Sequence, residues 1–156
     1  SDLDILIEQP CETYAECLTL HRRTGVSIML DELLDSPQPI LKAYADGLMN
    51  VATLKLSDFG GLTTQRILCD LCVQMGIPIR IEDFFGTGIT FAAVTHLAHS
   101  LPIYATFGLY DYIMPDVPLV QNPLKVVNGK VNVTDNLPGL GICLNPDLLG
   151  EPTSVF

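Results

Sequence analysis

The sequence predicts an α/β fold with a parallel sheet, and three observations predict it. Short apolar runs without polar alternation take turns with stretches of helical periodicity, as strands buried on both faces do. Each run ends on a polar or charged residue: Glu8, Asp31, Lys55, Glu82 and Thr106. These ends recur every 23 to 27 residues, the spacing of a strand–loop–helix unit.

Residues 5–7 form the first run, which ends at Glu8 and is closed by Pro10. Thr13 and Glu16 then make a capping box ahead of an apolar stripe of Cys17, Leu18 and Leu20. Gly25 stops that helix. Residues 26–30, apolar apart from Ser27, are the second run and end at Asp31-Glu32. Ser36-Pro37 opens a helix, with proline at a tolerated first position, and Gly47 closes it. The third run, 51–54, ends at Lys55. Beyond Gly60-Gly61, a helical stripe of Leu62, Ile67, Leu68, Leu71, Cys72 and Met75 runs to Gly76. The fourth run, 77–81, ends at Glu82-Asp83. A loop with Gly86 and Gly88 leads to a helix through Phe91, Val94, Leu97 and Ala98. Pro102 precedes the expected fifth strand, 103–105, which ends near Thr106.

The remainder has a different character. Pro115, Pro118 and Pro123 exclude long helices, and Asn128-Gly129 between two valine-rich pairs signals a hairpin. Residues 1–108 therefore read as part of a (β/α) barrel and 109–156 as a return segment. In a barrel the C-terminal strand ends carry the active site. A doubly wound open sheet also places polar tips at one edge and stays open here, although no G-x-G-x-x-G follows the first strand.

Composition excludes several functions. A net charge of −10 argues against nucleic acid, whose phosphates require a basic stripe. No run of about 18 uncharged apolar residues offers a membrane span. The first ten residues lack the basic and apolar regions of a signal peptide. Five cysteines, an odd number, fit a reduced cytoplasmic setting better than a disulfide framework. Cys69 and Cys72 make a C-x-x-C, but on an apolar helical stripe without a second pair, so they read as buried helix thiols. Asn132-Val133-Thr134 is a chance match to a glycosylation acceptor.

The strand tips suggest chemistry. Glu8 and Asp31 on adjacent tips offer the oxygen ligands that Mg²⁺ prefers. Lys55 sits one strand further on, where a dication and an apolar wall disfavour the ammonium and make a base of it. Such parts suit removal of a proton next to a carboxylate, with the metal stabilising the charge that develops. The competing reading is a layer of salt bridges, with Lys55 merely neutralising Glu8 or Asp31. Glu82 and Asp83 could instead cap the following helix. His21, His96 and His99 read as surface or dipole-compensating residues.

Several motifs in order resemble the enolase superfamily, in its mandelate-racemase and muconate-lactonising branch. They are IEQP at 7–10, LDE at 30–32, LKLSDFGGLT at 54–63, IEDFFGTGI at 81–89, and NGKVNV followed by LPGLGI. The resemblance implies strands four to eight of a (β/α)7β barrel of the TIM type, bound Mg²⁺ and a small carboxylate substrate. It implies Glu8 and Asp31 as metal ligands, Lys55 as the acid/base lysine, and Glu32, Glu82 and Asp83 as supporting residues. Phe84, Phe85 and Thr106 would line the substrate pocket. IEQPC with TYAEC, and the GGLT and HLA segments, most resemble the members that dehydrate cis-3-hydroxy-L-proline; relatives that epimerise proline betaines share the core.

There are departures. Phe84-Phe85 stands where the family often has tryptophan, and Asp111 lacks the D-x-D partner of dipeptide epimerases. No K-x-K occurs, and the aspartate of strand three is missing. The expected partner is thus the N-terminal half of the enzyme, from the same gene or a separate chain, in a homo-oligomer when complete. The alternative is an inert half-barrel that serves as an interaction element.

Overall fold

Five parallel strands lie side by side in the order in which the chain makes them. They are β1 (Leu6–Glu8), β2 (Ser27–Leu30), β3 (Val51–Lys55), β4 (Ile79–Glu82) and β5 (Thr106–Leu109). The computed structural model describes residues 4–84, 86–109, 119–133, 137–151 and 154. A doubly wound sheet reverses its strand order at one point, whereas this order never reverses. The arrangement is the arc of a (β/α) barrel. Right-handed crossovers then put all four connecting helices on one face. These are α1 (Tyr14–Thr24), α2 (Pro37–Asp46), α3 (Leu62–Met75) and α4 (Gly88–His99). Successive helices touch, α2 against α3 and α3 against α4.

Local sequence sets these boundaries. The Thr13 hydroxyl accepts from the Glu16 amide, and Glu16 reaches back to the Thr13 amide at 3.1 Å, completing the capping box of α1. Pro37 starts α2, where a missing N–H costs nothing. Gly25, Gly47 and Gly76 end α1 to α3 at φ between 66° and 71°, a region other residues enter at a cost.

Strand periodicity sorts side chains into two layers. Ile28, Leu30, Ala52, Leu54, Ile79 and Ile81 point to the helices and are fully buried. They pack in one cluster with Cys17, Ile40, Leu68, Cys72, Phe91 and Val94. Burying each large aliphatic side chain contributes about 1.5–3 kcal/mol. Cys69 and Cys72 are buried helix thiols, each pushed up to about 12 by burial, and all five cysteines are free. Among the described residues no helix is long and apolar enough to cross a membrane.

One expectation is corrected. Residues 103–105 are not a strand: Ile103–Ala105 is a 3-10 turn held by the Ala105 amide on the Pro102 carbonyl at 2.9 Å. The apolar Ile103 and Tyr104 are largely exposed there. Thr106 therefore opens β5 instead of ending it and lies at the far edge from the charged tips. His96 and His99, expected as surface or dipole-compensating residues, lie in the last turn of α4. Their Nε2 atoms meet the carbonyls of Leu140 at 3.1 Å and Val131 at 3.0 Å, fastening the return segment to α4. That segment holds the expected hairpin, β6 (Val126–Val127) and β7 (Lys130–Val131), turning on Asn128 and Gly129 at φ 52° and 72°. It ends in a short α5 (Pro146–Leu149).

Candidate active site at the strand tips

Lys55 is the last residue of β3 and is 4% exposed, rare burial for a lysine. The Leu54 carbonyl just before it accepts a 2.7 Å bond from Gln65 of α3, which ties the strand end to the helix layer. The ammonium therefore has to find partners in the opposite layer. Its Nζ lies 2.5 Å from Asp31 Oδ1, 3.3 Å from Glu32 Oε1 and 3.6 Å from Glu82 Oε1. The Phe84 ring covers it at 4.4 Å, in cation–π contact.

Glu82 faces Lys55 because the register of β3 and β4 sets those two residues opposite one another. Its other oxygen, Oε2, accepts from Arg80 Nε at 2.6 Å and also from Nη2. Arg80 Nη1 reaches across to Glu8 Oε2 at 2.9 Å. A continuous ionic chain thus runs from Glu8 through Arg80 and Glu82 to Lys55, Asp31 and Glu32. Among the described residues, four carboxylates meet two cations, an excess of two negative charges when all are ionised.

That excess governs protonation. Burial raises the Asp31 carboxyl to about 7, against the pull of Lys55 and with the push of Glu32 and Glu82. Burial would lower the lysine, but the hydrogen bond and charge of Asp31, with Glu32, prevail and raise it. The expectation of a neutral Lys55 rested on a neighbouring dication. With the carboxylates of Asp31, Glu32 and Glu82 beside it, the ammonium is favoured. Burial opposes ionisation of Glu32 as well, yet its own backbone amide and Lys55 hold its carboxyl below the usual range.

The tips bring together Lys55, Asp31, Glu32, Glu82 and Phe84, and link Glu8 to them through Arg80. Asp83 turns away from Lys55: its Oδ1 accepts from the Ser57 amide and hydroxyl and, at 2.9 Å, from the Phe84 amide. It fastens the loops after β3 and β4. Neither acid caps α4, whose cap is Thr87. The Thr106 hydroxyl donates to the Pro102 carbonyl at 3.4 Å, away from this group. Phe85 lies outside the described residues. Two participants were not anticipated. Arg80 carried a signal, an arginine inside an otherwise apolar run. Gln9, whose Nε2 donates to Glu32 Oε2 at 2.9 Å, carried none beyond its place after Glu8.

Glu8 and Asp31 fit part of a hard-cation site in donor type and charge. Each is engaged with a cationic side chain, and among the described residues no three ligating side chains converge on one point.

Residues 3–148 match the family described as enolase C-terminal domain-like. The chain belongs to that family. It is 43% identical to cis-3-hydroxy-L-proline dehydratase of Roseibium aggregatum over 157 residues, covering 100% of this chain and 42% of the relative. It is 31% identical to N-succinylamino acid racemase of an Amycolatopsis species, covering 96% and 41%. A mandelate racemase/muconate lactonizing enzyme from Roseovarius nubinhibens superposes with a TM-score of 0.88 at 31% identity, over 98% of this chain and 42% of that one. An enolase-superfamily member from the same organism, complexed with magnesium, superposes at 0.86 and 31% identity, over 98% and 42%. The chain thus spans about two fifths of the proteins it matches.

Proposed function

We propose that this chain supplies the base and two metal-holding acids for abstraction of a proton α to a carboxylate, followed by loss of water from a cis-3-hydroxy-L-proline-like substrate. The observation that carries this reading is the buried Lys55, held at the tip of β3 against Asp31 and in reach of Glu82. Glu8 and Asp31 would hold Mg²⁺, which when bound stabilises the negative charge that develops on the substrate carboxylate.

Lys55 Nζ takes the α proton. It can do so only as the free amine, so the charge that Asp31 and Glu32 now balance with the ammonium must be balanced otherwise in the working site. Glu82, clamped by Arg80, fixes the direction of Nζ. Phe84 shields it from water and walls the pocket. The 3-hydroxyl departs from the carbon next to the one that loses its proton and leaves as water, taking up the proton that the Lys55 ammonium then carries. The rest of the site would come from the N-terminal half of the enzyme, and the complete protein would be a cytoplasmic homo-oligomer.

The test is exchange of the substrate Cα hydrogen with deuterated water. Lys55→Ala should slow it by about 10²–10⁴-fold. Undiminished exchange in a folded Lys55→Ala protein would sink the assignment. The likeness to the racemase favours a second reading, epimerisation with the same base. Product analysis separates the two, because only dehydration yields a cyclic imine acid.

A further inference from the structure

We propose that Gln9 is a positioning residue that presets Asp31 and Glu32 for the cation, an inference that rests on the metal-site reading above. Gln9 follows Glu8 at the tip of β1 and takes φ 25°, unfavourable for any residue with a side chain and more so before Pro10. Residues kept in such a region are held there by their surroundings, and they gather at functional sites.

What the strain secures is the reach of the side chain. Gln9 Oε1 accepts from the amides of Asp31 and Leu33, both at 3.0 Å. Its Nε2 donates to Glu32 Oε2 at 2.9 Å. Its own amide bonds the Met29 carbonyl at 2.8 Å, which locks the tip of β1 to β2. The Leu34 amide closes the same turn on the Asp31 carbonyl at 2.8 Å. One amide side chain therefore fixes the backbone that carries Asp31 and one oxygen of Glu32, while its neighbour in sequence is Glu8. A carboxamide suits this double role, because its carbonyl takes two N–H donors and its NH₂ end meets an anion. Loss of a partner that orients a metal-binding side chain commonly costs about 10- to 100-fold in affinity.

The experiment is Mn²⁺ binding by electron paramagnetic resonance in the full-length polypeptide. Gln9→Met and Gln9→Asn, which lose the acceptor or its reach, should each weaken Mn²⁺ by about 10- to 100-fold. Gln9→Glu keeps the acceptor for both amides but sets a like charge in place of the donor to Glu32, so it should weaken Mn²⁺ less than Gln9→Met does, a partial rescue that a merely structural role does not predict. Asn50→Ala is the control: Asn50 Oδ1 accepts from the Ile28 amide at 2.9 Å, at the other end of β2, and its loss should leave Mn²⁺ affinity unchanged. Unchanged affinity in the Met and Asn variants, or an equal loss in Asn50→Ala, overturns the proposal alone. No Mn²⁺ binding by the unaltered protein overturns both it and the metal-site reading.

Discussion

The two faces of the sheet differ residue by residue along β3. Ala52 and Leu54 look toward the helices and join the apolar cluster, while Thr53 and Lys55 look the other way. All four are buried, so burial does not distinguish the faces. Chemistry does. The helix side is held mainly by apolar contact, although the buried Gln65 there leaves its Oε1 without a hydrogen-bond partner. The other side holds a lysine, an arginine and their carboxylates in unequal number, and the buried Thr53 hydroxyl finds no hydrogen-bond partner. One strand thus carries an apolar face on one side and a charged one on the other. Changes on the two faces should therefore be separable.

The largest effect on folding belongs to the helix face. Leu54→Ala deletes a fully buried side chain from the middle of the cluster and should cost about 2–5 kcal/mol in a denaturant titration. The charged layer opposite should survive it, with Lys55 still beside Asp31. A cost below about 1 kcal/mol would mean that the helix face is looser than its burial implies.

The charged face predicts a different signature, a dependence on pH. The Asp31 carboxyl titrates near 7 in the folded protein against an ordinary 3.8. A raised value stabilises at low pH, and that stability is lost as pH rises toward and through the folded value. Metal-free protein should thus lose about 2–3 kcal/mol between pH 5 and pH 8. Lys55, also raised, keeps its contribution throughout this window, because its loss comes only at alkaline pH. Asp31→Asn should flatten the slope in thermal melts taken with a chelator present. If the slope persists in Asp31→Asn, the charge imbalance lies elsewhere.

The same contrast explains what the sequence discloses. The helix face was legible because its signals are local: apolar runs, capping residues and glycines lie within a few positions of what they determine. The charged tips were legible as residues, since Glu8, Asp31, Lys55 and Glu82 each end an apolar run. Their pairing was not. Arg80 meets Glu8 from 72 positions away, and only the strand order brings them together. The charge state of Lys55 depends on which neighbours outnumber which, a property of the assembled cluster. Thr106 was misplaced for a local reason. Apolar residues after Pro102 fit a strand or a turn equally well, and here they make an exposed turn. Gln9 acts through a backbone angle and through the next loop, neither of which its residue type announces.

The smallest effect tests the separation where the two layers come closest. Thr13 caps α1 only a few residues after Glu8, on the connection that leads from the charged tip into the helix layer. Its hydroxyl serves only the helix: it accepts from the Glu16 amide and donates to the Glu16 carboxylate at 2.7 Å. Thr13→Ala should therefore cost about 1 kcal/mol of stability. The Gln9 bonds to Asp31, Glu32 and Leu33 do not pass through Thr13, so Mn²⁺ affinity and α-proton exchange should hold at their unaltered values. A matching fall in stability and in Mn²⁺ affinity would show that the tip of β1 is set by the helix behind it rather than by Gln9 reaching across to the neighbouring tip. The two faces would then be one cooperative unit at this corner, however distinct they are along β3.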